Sequence, residues 1–176
     1  MNVLTVIKDR KGYKRYNIHL LMNIIHDVSQ VELKNLFIME SRKNIILDGK
    51  FTKITNSDEH FSTNGVFIHA PLFLVTIDKQ SNKTLLKFPV NNKQNVRLII
   101  GLSQIEQSIL EYYKHLLSSN KQIVLSLSDN MKNGCVKLYR ECFHSSSNNY
   151  VIKISGVWED QSRIGLTFKF LDAITI

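Results

Sequence analysis

The chain has 176 residues, of which 43% are hydrophobic and 22% are charged. This composition can bury a core, so it excludes a disordered chain, and no window approaches the roughly 18 to 20 consecutive apolar residues of a membrane helix. The formal net charge of +8 favours an anionic partner, nucleic acid before a membrane surface, although a lysine-rich composition bias would give the same charge.

The start of the chain places its charged residues after a short apolar run, which is the reverse of a secretory signal. We therefore expect an intracellular protein that is not exported and has no membrane partner. Two cysteines, Cys135 and Cys142, fit reduced thiols in that setting. Together with His144 they would supply three metal ligands, fewer than the four of a structural zinc site, so we expect no metal and no cofactor.

Residues 1–44 are predicted to form a mixed N-terminal elaboration of a single domain that covers residues 1–176. Positions 3–7 favour a short strand, and apolar residues at helical spacing allow a helix over 18–28. Between them lies a basic segment that would suit a phosphate backbone and stacked bases: Arg10, Lys11, Tyr13, Lys14, Arg15 and Tyr16. An exposed hairpin turn at Lys11-Gly12 would explain the same residues without a function.

Residues 45–176 are predicted to form a β-rich core. Turn pairs at Asp48-Gly49, Asn64-Gly65 and Asn133-Gly134 indicate hairpins, and Glu159-Asp160 indicates a tight turn between the last two strands. Further strands are predicted for the segments VRLII and IVLSLS.

One helix is well marked in this core. Ser103 and Glu106 have the spacing of a capping box, and apolar residues then repeat at helical spacing, which predicts a helix over 104–117. A helix between two groups of strands indicates a β-rich α+β fold, either an OB-like Greek-key barrel or an antiparallel sandwich.

The sequence lacks the compact signatures of common enzymes: a nucleophile elbow, a phosphate loop, a dinucleotide glycine run or paired metal-ligand spacing. The densest polar cluster is Asp58-Glu59-His60. It would suit a metal-dependent nuclease if other acids joined it, but the loop before the Asn64-Gly65 hairpin is the favoured interpretation. We therefore expect a non-catalytic binding protein, with a nuclease as the less favoured alternative.

Alternation on three predicted strands separates an apolar row from a row of lysines. Lys137 and Tyr139 lie opposite Val136 and Leu138, and the strands that carry Lys153 and Lys169 follow the same pattern. Side by side, such rows would form a basic face for single-stranded nucleic acid, although a solvated outer face would have the same pattern.

Two further residues are candidates for this face. Lys87 belongs to a stretch between Asp78 and Gly101 that contains five basic residues and no acid. Trp158 is a candidate base-stacking residue, although packing in the core or at a turn is the favoured interpretation of this residue.

The segments KISGVWE (153–159) and GLTFKF (165–170), with FSTNG (61–65), are similar to segments of the single-stranded DNA-binding proteins of large double-stranded DNA viruses. The resemblance implies an OB-type fold and a role in coating exposed DNA during viral replication or recombination. It also implies a site in the nucleus or at a cytoplasmic replication site of the host cell. The sequence departs from many such proteins by ending in LDAITI rather than in an acidic tail.

A structural or protein-interaction module, such as a small virion or assembly component, is the alternative interpretation. The apolar run over 66–77 and the apolar end of the chain would then form an interface. Homo-oligomers are compatible with both interpretations.

Overall fold

A computed structural model describes residues 5–6, 22–44, 48–140 and 149–172. These residues form a β-rich architecture with one mixed, open sheet of ten strands, a separate pair of two-residue strands and two α-helices. The prediction of a β-rich fold with helical elements is confirmed at this level.

The bounds of the elements follow the chain. The small sheet pairs β1 (Thr5–Val6) with β2 (Met22–Asn23). The large sheet contains β3 (Leu36–Lys43), β4 (Lys50–Ser57), β5 (Ser62–Thr63), β6 (Val66–Pro71), β7 (Thr76–Gln80), β8 (Lys83–Lys87), β9 (Gln122–Val124), β10 (Cys135–Arg140), β11 (Asn149–Glu159) and β12 (Arg163–Asp172). The helices are α1 (Lys93–Leu116) and α2 (Ser126–Lys132), and short 3-10 turns span Val28–Gln30 and Leu33–Asn35.

The strands of the large sheet run in the order β3-β4-β11-β12-β10-β8-β7, with β5 beside β4, β6 beside β11 and β9 beside β12. Both β9 and β10 are parallel to β12, whereas the other described pairs are antiparallel. The expectation of an antiparallel sheet is therefore corrected to a mixed one. Because β3 and β7 are the two ends of an open path, an OB-like barrel is not confirmed.

Helices α1 and α2 cover one face of this sheet. Leu102, Leu110 and Tyr113 of α1 are fully buried against inward-facing strand residues such as Ile152 and Phe170. Burying a large apolar side chain contributes about 1.5–3 kcal/mol, so each of these residues stabilises the packing of the helices on the sheet. The opposite face of the sheet is called the outer face below.

Helix α1 is much longer than predicted. It begins at Lys93, where the side chain of Asn92 accepts hydrogen bonds from the amides of Gln94 and Asn95. The predicted strand VRLII is therefore wrong, because Leu98 and Ile99 bury their side chains from within a helix, and tertiary packing overrides the strand preference of β-branched residues.

The predicted capping box at Ser103 is also wrong, since this residue lies in the middle of α1. Its Oγ is buried and has no hydrogen-bond partner among the described residues. Glu106 is fully buried and serves a different helix: its two carboxylate oxygens accept hydrogen bonds from the amides of Leu127 and Ser128, at 2.9 Å and 2.7 Å. Glu106 thus caps the first turn of α2.

The predicted strand IVLSLS is correct only at its start, since β9 ends at Val124 and α2 follows. The pair Asn133-Gly134 closes that helix instead of a hairpin. Gly134 has a φ of 64°, and its amide donates to the carbonyl of Met131. Glycine in the left-handed region commonly terminates a helix. The Asn-Gly pair therefore does mark a turn, but the turn follows a helix and not a strand.

Of the other three predicted turns, two connect paired strands as expected and one does not. Asp48-Gly49 connects the paired strands β3 and β4, and Glu159-Asp160 begins the turn between β11 and β12. In that turn the Asp160 carboxylate accepts hydrogen bonds from the amides of Ser162 and Arg163 and from the Arg163 guanidinium. Together these contacts lower the pKa of Asp160 to about 2. Asn64-Gly65 forms a turn with Gly65 at φ 103°, but β5 and β6 pair with different strands, so the predicted hairpin is wrong.

At the N-terminal end, the predicted strand over 3–7 is found in part as β1. The predicted helix over 18–28 is wrong where it is described, since residues 22–23 form β2 and a 3-10 turn begins only at Val28. The basic segment of residues 10–16 lies outside the described residues.

Candidate nucleic-acid interface

Three lysines form a row across the outer face, on the adjacent strands β10, β12 and β11. Lys153 lies directly opposite Lys169 in the β11–β12 register. In the parallel β10–β12 pair Leu138 lies opposite Phe170, which makes the preceding residues Lys137 and Lys169 neighbours. We call Lys137, Lys169 and Lys153 the lysine row. Their inward-facing neighbours are buried, except for the half-buried Phe168, as the alternation predicted.

A fourth lysine strengthens the positive charge of this row. Lys53 of β4 lies opposite Gly156, close enough to act on Lys153. Burial lowers the pKa of Lys153, and repulsion from Lys169 and Lys53 lowers it further. None of these four lysines forms an ion pair with a described residue. Crowded cations that have no carboxylate partner among the described residues favour an anionic ligand, which would relieve their repulsion.

An aromatic ring stands beside the row. Tyr139 is 51% exposed, and its ring centroid lies 5.0 Å from the Lys137 Nζ and 5.4 Å from the Lys169 Nζ. These distances are typical of cation–π contacts. The two ammonium groups therefore hold an exposed ring next to the positions where phosphates would bind, which is the combination that base stacking requires.

At the other end of the lysine row, Lys153 contacts the buried ring of Phe67. The Lys153 Nζ lies 5.1 Å from the centroid of Phe67, its register partner on β6. Phe67 is only 3% exposed and packs with Val151, Ile25 and Leu171 in a small apolar cluster on the outer face. Phe67 therefore contacts the Lys153 ammonium through its ring but is too buried to stack on a base.

Lys87 lies on the outer face but is not free. Its Nζ is 2.8 Å from the carboxylate of Asp78 on the neighbouring strand β7. This contact raises the pKa of Lys87 and lowers the pKa of Asp78. Asp78 in turn lies opposite Leu85, which lies opposite Lys137, so the row meets an acidic residue two strands beyond Lys137.

Trp158 shares the outer face near the β11–β12 turn, where it is half-buried. Its indole covers Gly165, its register partner, so closely that a Cβ at that glycine would lie 2.6 Å from the ring. Phe51 covers Gly156 in the same way. Much of the indole is therefore used to pack the sheet, and stacking on a base stays a prediction for the part that remains exposed.

Sequence reasoning missed Lys53 and Phe67. The alternation in FTKIT marks Lys53 as an outward residue between the buried Thr52 and Ile54. Its place beside Lys153 depends on the long-range pairing of β4 with β11, however, and no local pattern indicates that pairing.

The sequence also suggested a metal site and a nuclease site, and the described residues do not assemble either one. Among the described residues no three His, Cys, Asp or Glu side chains are grouped so that they could hold a metal ion. In the cluster Asp58-Glu59-His60, the Asp58 carboxylate accepts hydrogen bonds from the amides of His60 and Phe61, which lower its pKa and fix a turn. Cys135 is a free, half-buried thiol, while Cys142 and His144 lie outside the described residues.

Comparison with protein-family models, with curated proteins and with solved structures gives no match. No helix in the described part of the chain is both long enough and apolar enough to cross a membrane.

Proposed function

We propose that this protein binds single-stranded nucleic acid, DNA rather than RNA, on the outer face of its sheet and without catalysis. The observation that carries the proposal is the lysine row with Lys53 at one side and the half-exposed Tyr139 at the other. The lysines would neutralise successive phosphates, and Tyr139 would stack on a base. The proposal rests on the sheet face and does not require the closure of an OB-like barrel.

The preference for DNA rests on the resemblance of the β11–β12 residues to viral single-stranded DNA-binding proteins. On this basis the role would be to coat exposed strands during viral DNA replication or recombination, in the nucleus or at a cytoplasmic replication site.

The first test is fluorescence anisotropy with labelled single-stranded DNA, single-stranded RNA and duplex DNA, at low and at physiological salt. Lys153→Glu and Lys169→Glu should each weaken single-strand binding at least about tenfold, or about 1.4 kcal/mol. Lys93→Glu makes the same charge change at the start of α1, in the helical layer, and should have little effect. Equal losses in all three variants would show that only net charge matters, and the proposal would fail.

A structural or protein-interaction role is the second candidate, favoured by exposed apolar residues on one side of the sheet. Phe73, Leu74 and Ile77 are 38%, 70% and 50% exposed, although the first part of the run, from Val66 to Ala70, is mostly in the core. Leu74 has a φ of 57° and lies between β6 and β7, next to Phe73, whose two backbone groups are bonded to the buried side chain of Asn95 in α1. Oligomers in size-exclusion chromatography, without affinity for oligonucleotides, would favour this candidate.

A further inference from the structure

The lysine row runs at right angles to the strands that carry it. From β7 to β6, the residues that follow one another across the outer face are Asp78, Leu85, Lys137, Lys169, Lys153 and Phe67. The row therefore has one acidic end, a central group of lysines and an apolar end. A bound strand would meet favourable charge only over the central part.

The geometry points to a bound nucleic-acid strand that crosses the sheet transversely over β10, β12 and β11, with the Asp78–Lys87 ion pair limiting its track at β8. This inference rests on the proposed function and defines the length and the boundary of the bound segment. Beyond Lys137 the next outward residue is Leu85, and after it the Asp78 carboxylate would repel a phosphate. Lys87 cannot compensate, because its ammonium is already paired with that carboxylate at 2.8 Å.

The direction of the track determines how many nucleotides are bound. Lys137, Lys169 and Lys153 lie opposite one another on three adjacent strands, which are two spacings of about 4.8 Å apart, or about 10 Å in all, whereas Lys53 lies beside the row, opposite Gly156. At the spacing of about 3.4 Å in a stacked strand, that span contains about three intervals and therefore about four phosphates. A track along the 11 residues of β11 would instead extend about 36 Å and cover about ten nucleotides.

The inference is tested with unlabelled oligothymidylates of increasing length that compete against a labelled single strand, with affinities corrected for the number of binding registers. The affinity of the wild-type protein should stop rising at about four nucleotides. A rise that continues to about ten nucleotides would show that the strand runs along the hairpin, and the transverse track would be wrong.

Asp78→Asn tests the boundary. It removes the carboxylate and releases Lys87, so the bound segment should lengthen by about one nucleotide, and the slope of log K against log salt should become steeper by about 0.7. Glu32→Gln is the matched control, since Glu32 forms an exposed ion pair with Lys34 at 2.9 Å away from the row. It should change neither quantity.

The outcomes separate this inference from the proposed function. If Lys153→Glu weakens binding but Asp78→Asn changes neither the length nor the slope, the protein binds single strands and the boundary is wrong. If the wild-type protein binds no single-stranded oligonucleotide, the proposed function fails first, and the track fails with it.

Discussion

At the scale of single residues, Tyr139 is the side chain whose removal should separate stacking from charge. Tyr139→Ala should weaken single-strand binding by about 1–3 kcal/mol, because stacking on an aromatic ring contributes that much per base. Tyr139→Phe keeps the ring between Lys137 and Lys169 and should bind almost as the wild type does. Anisotropy titrations at one salt concentration measure both. Equal loss in the two variants would assign the effect to the hydroxyl and contradict stacking.

The direction of individual side chains was also the best-predicted property of the chain. A strand turns successive residues to opposite faces, so the alternation around Lys137, Lys153 and Lys169 indicated correctly that their neighbours face the core. The same rule does not say which strands are adjacent. The pairing of Lys153 with Lys169 follows from a hairpin and was predictable, whereas the approach of Lys53 follows from a pairing across about a hundred residues of chain.

At the scale of elements, the contact that joins α1 to α2 should be the most sensitive polar site of the fold. Glu106 is 0% exposed and accepts three hydrogen bonds from the first turn of α2, the third from the Ser128 hydroxyl at 2.6 Å. Glu106→Gln would turn an amide donor toward these donors and should lower the free energy of unfolding by about 1.5–3 kcal/mol. Urea denaturation followed by circular dichroism measures this loss.

Glu111→Gln provides the control, because it makes the same change at an exposed position of α1. Exposed substitutions of this kind usually stay within about 0.5 kcal/mol. A similar loss in both variants would mean that Glu106 acts through general helix electrostatics and not through the cap of α2.

The errors in element prediction have a common physical origin. The spacing of Ser103 and Glu106 suggested a local cap, but the partners of Glu106 lie 21 and 22 residues further along the chain. Likewise, the β-branched residues before Gly101 favour a strand locally, and burial against the sheet makes them helical. Local preference was overruled where a residue packs against a distant element.

The net charge of +8 can attract nucleic acid either from all sides of the protein or through the lysines of one face. Binding through the four lysines should give a slope of log K against log salt of about −3 for a single strand, so that affinity falls about 50-fold between 50 and 200 mM salt. If every net charge contributed, the slope would approach about −6, and duplex DNA would bind as well. Titrations at several salt concentrations distinguish the two cases.

The irregularity in the register of β11, between Ile154 and Gly156, has a consequence for how this molecule tolerates change. This β-bulge changes which residues face the core. Up to Ile154 the even-numbered residues point inward, whereas beyond the bulge the odd-numbered Val157 is buried and Trp158 points outward. Ser155 is the extra residue, and deleting it would leave an unbroken alternation in which Val157 still points inward and Trp158 outward. The strand can therefore lose one residue at this position without reversing the face of the lysine half or of the tryptophan half.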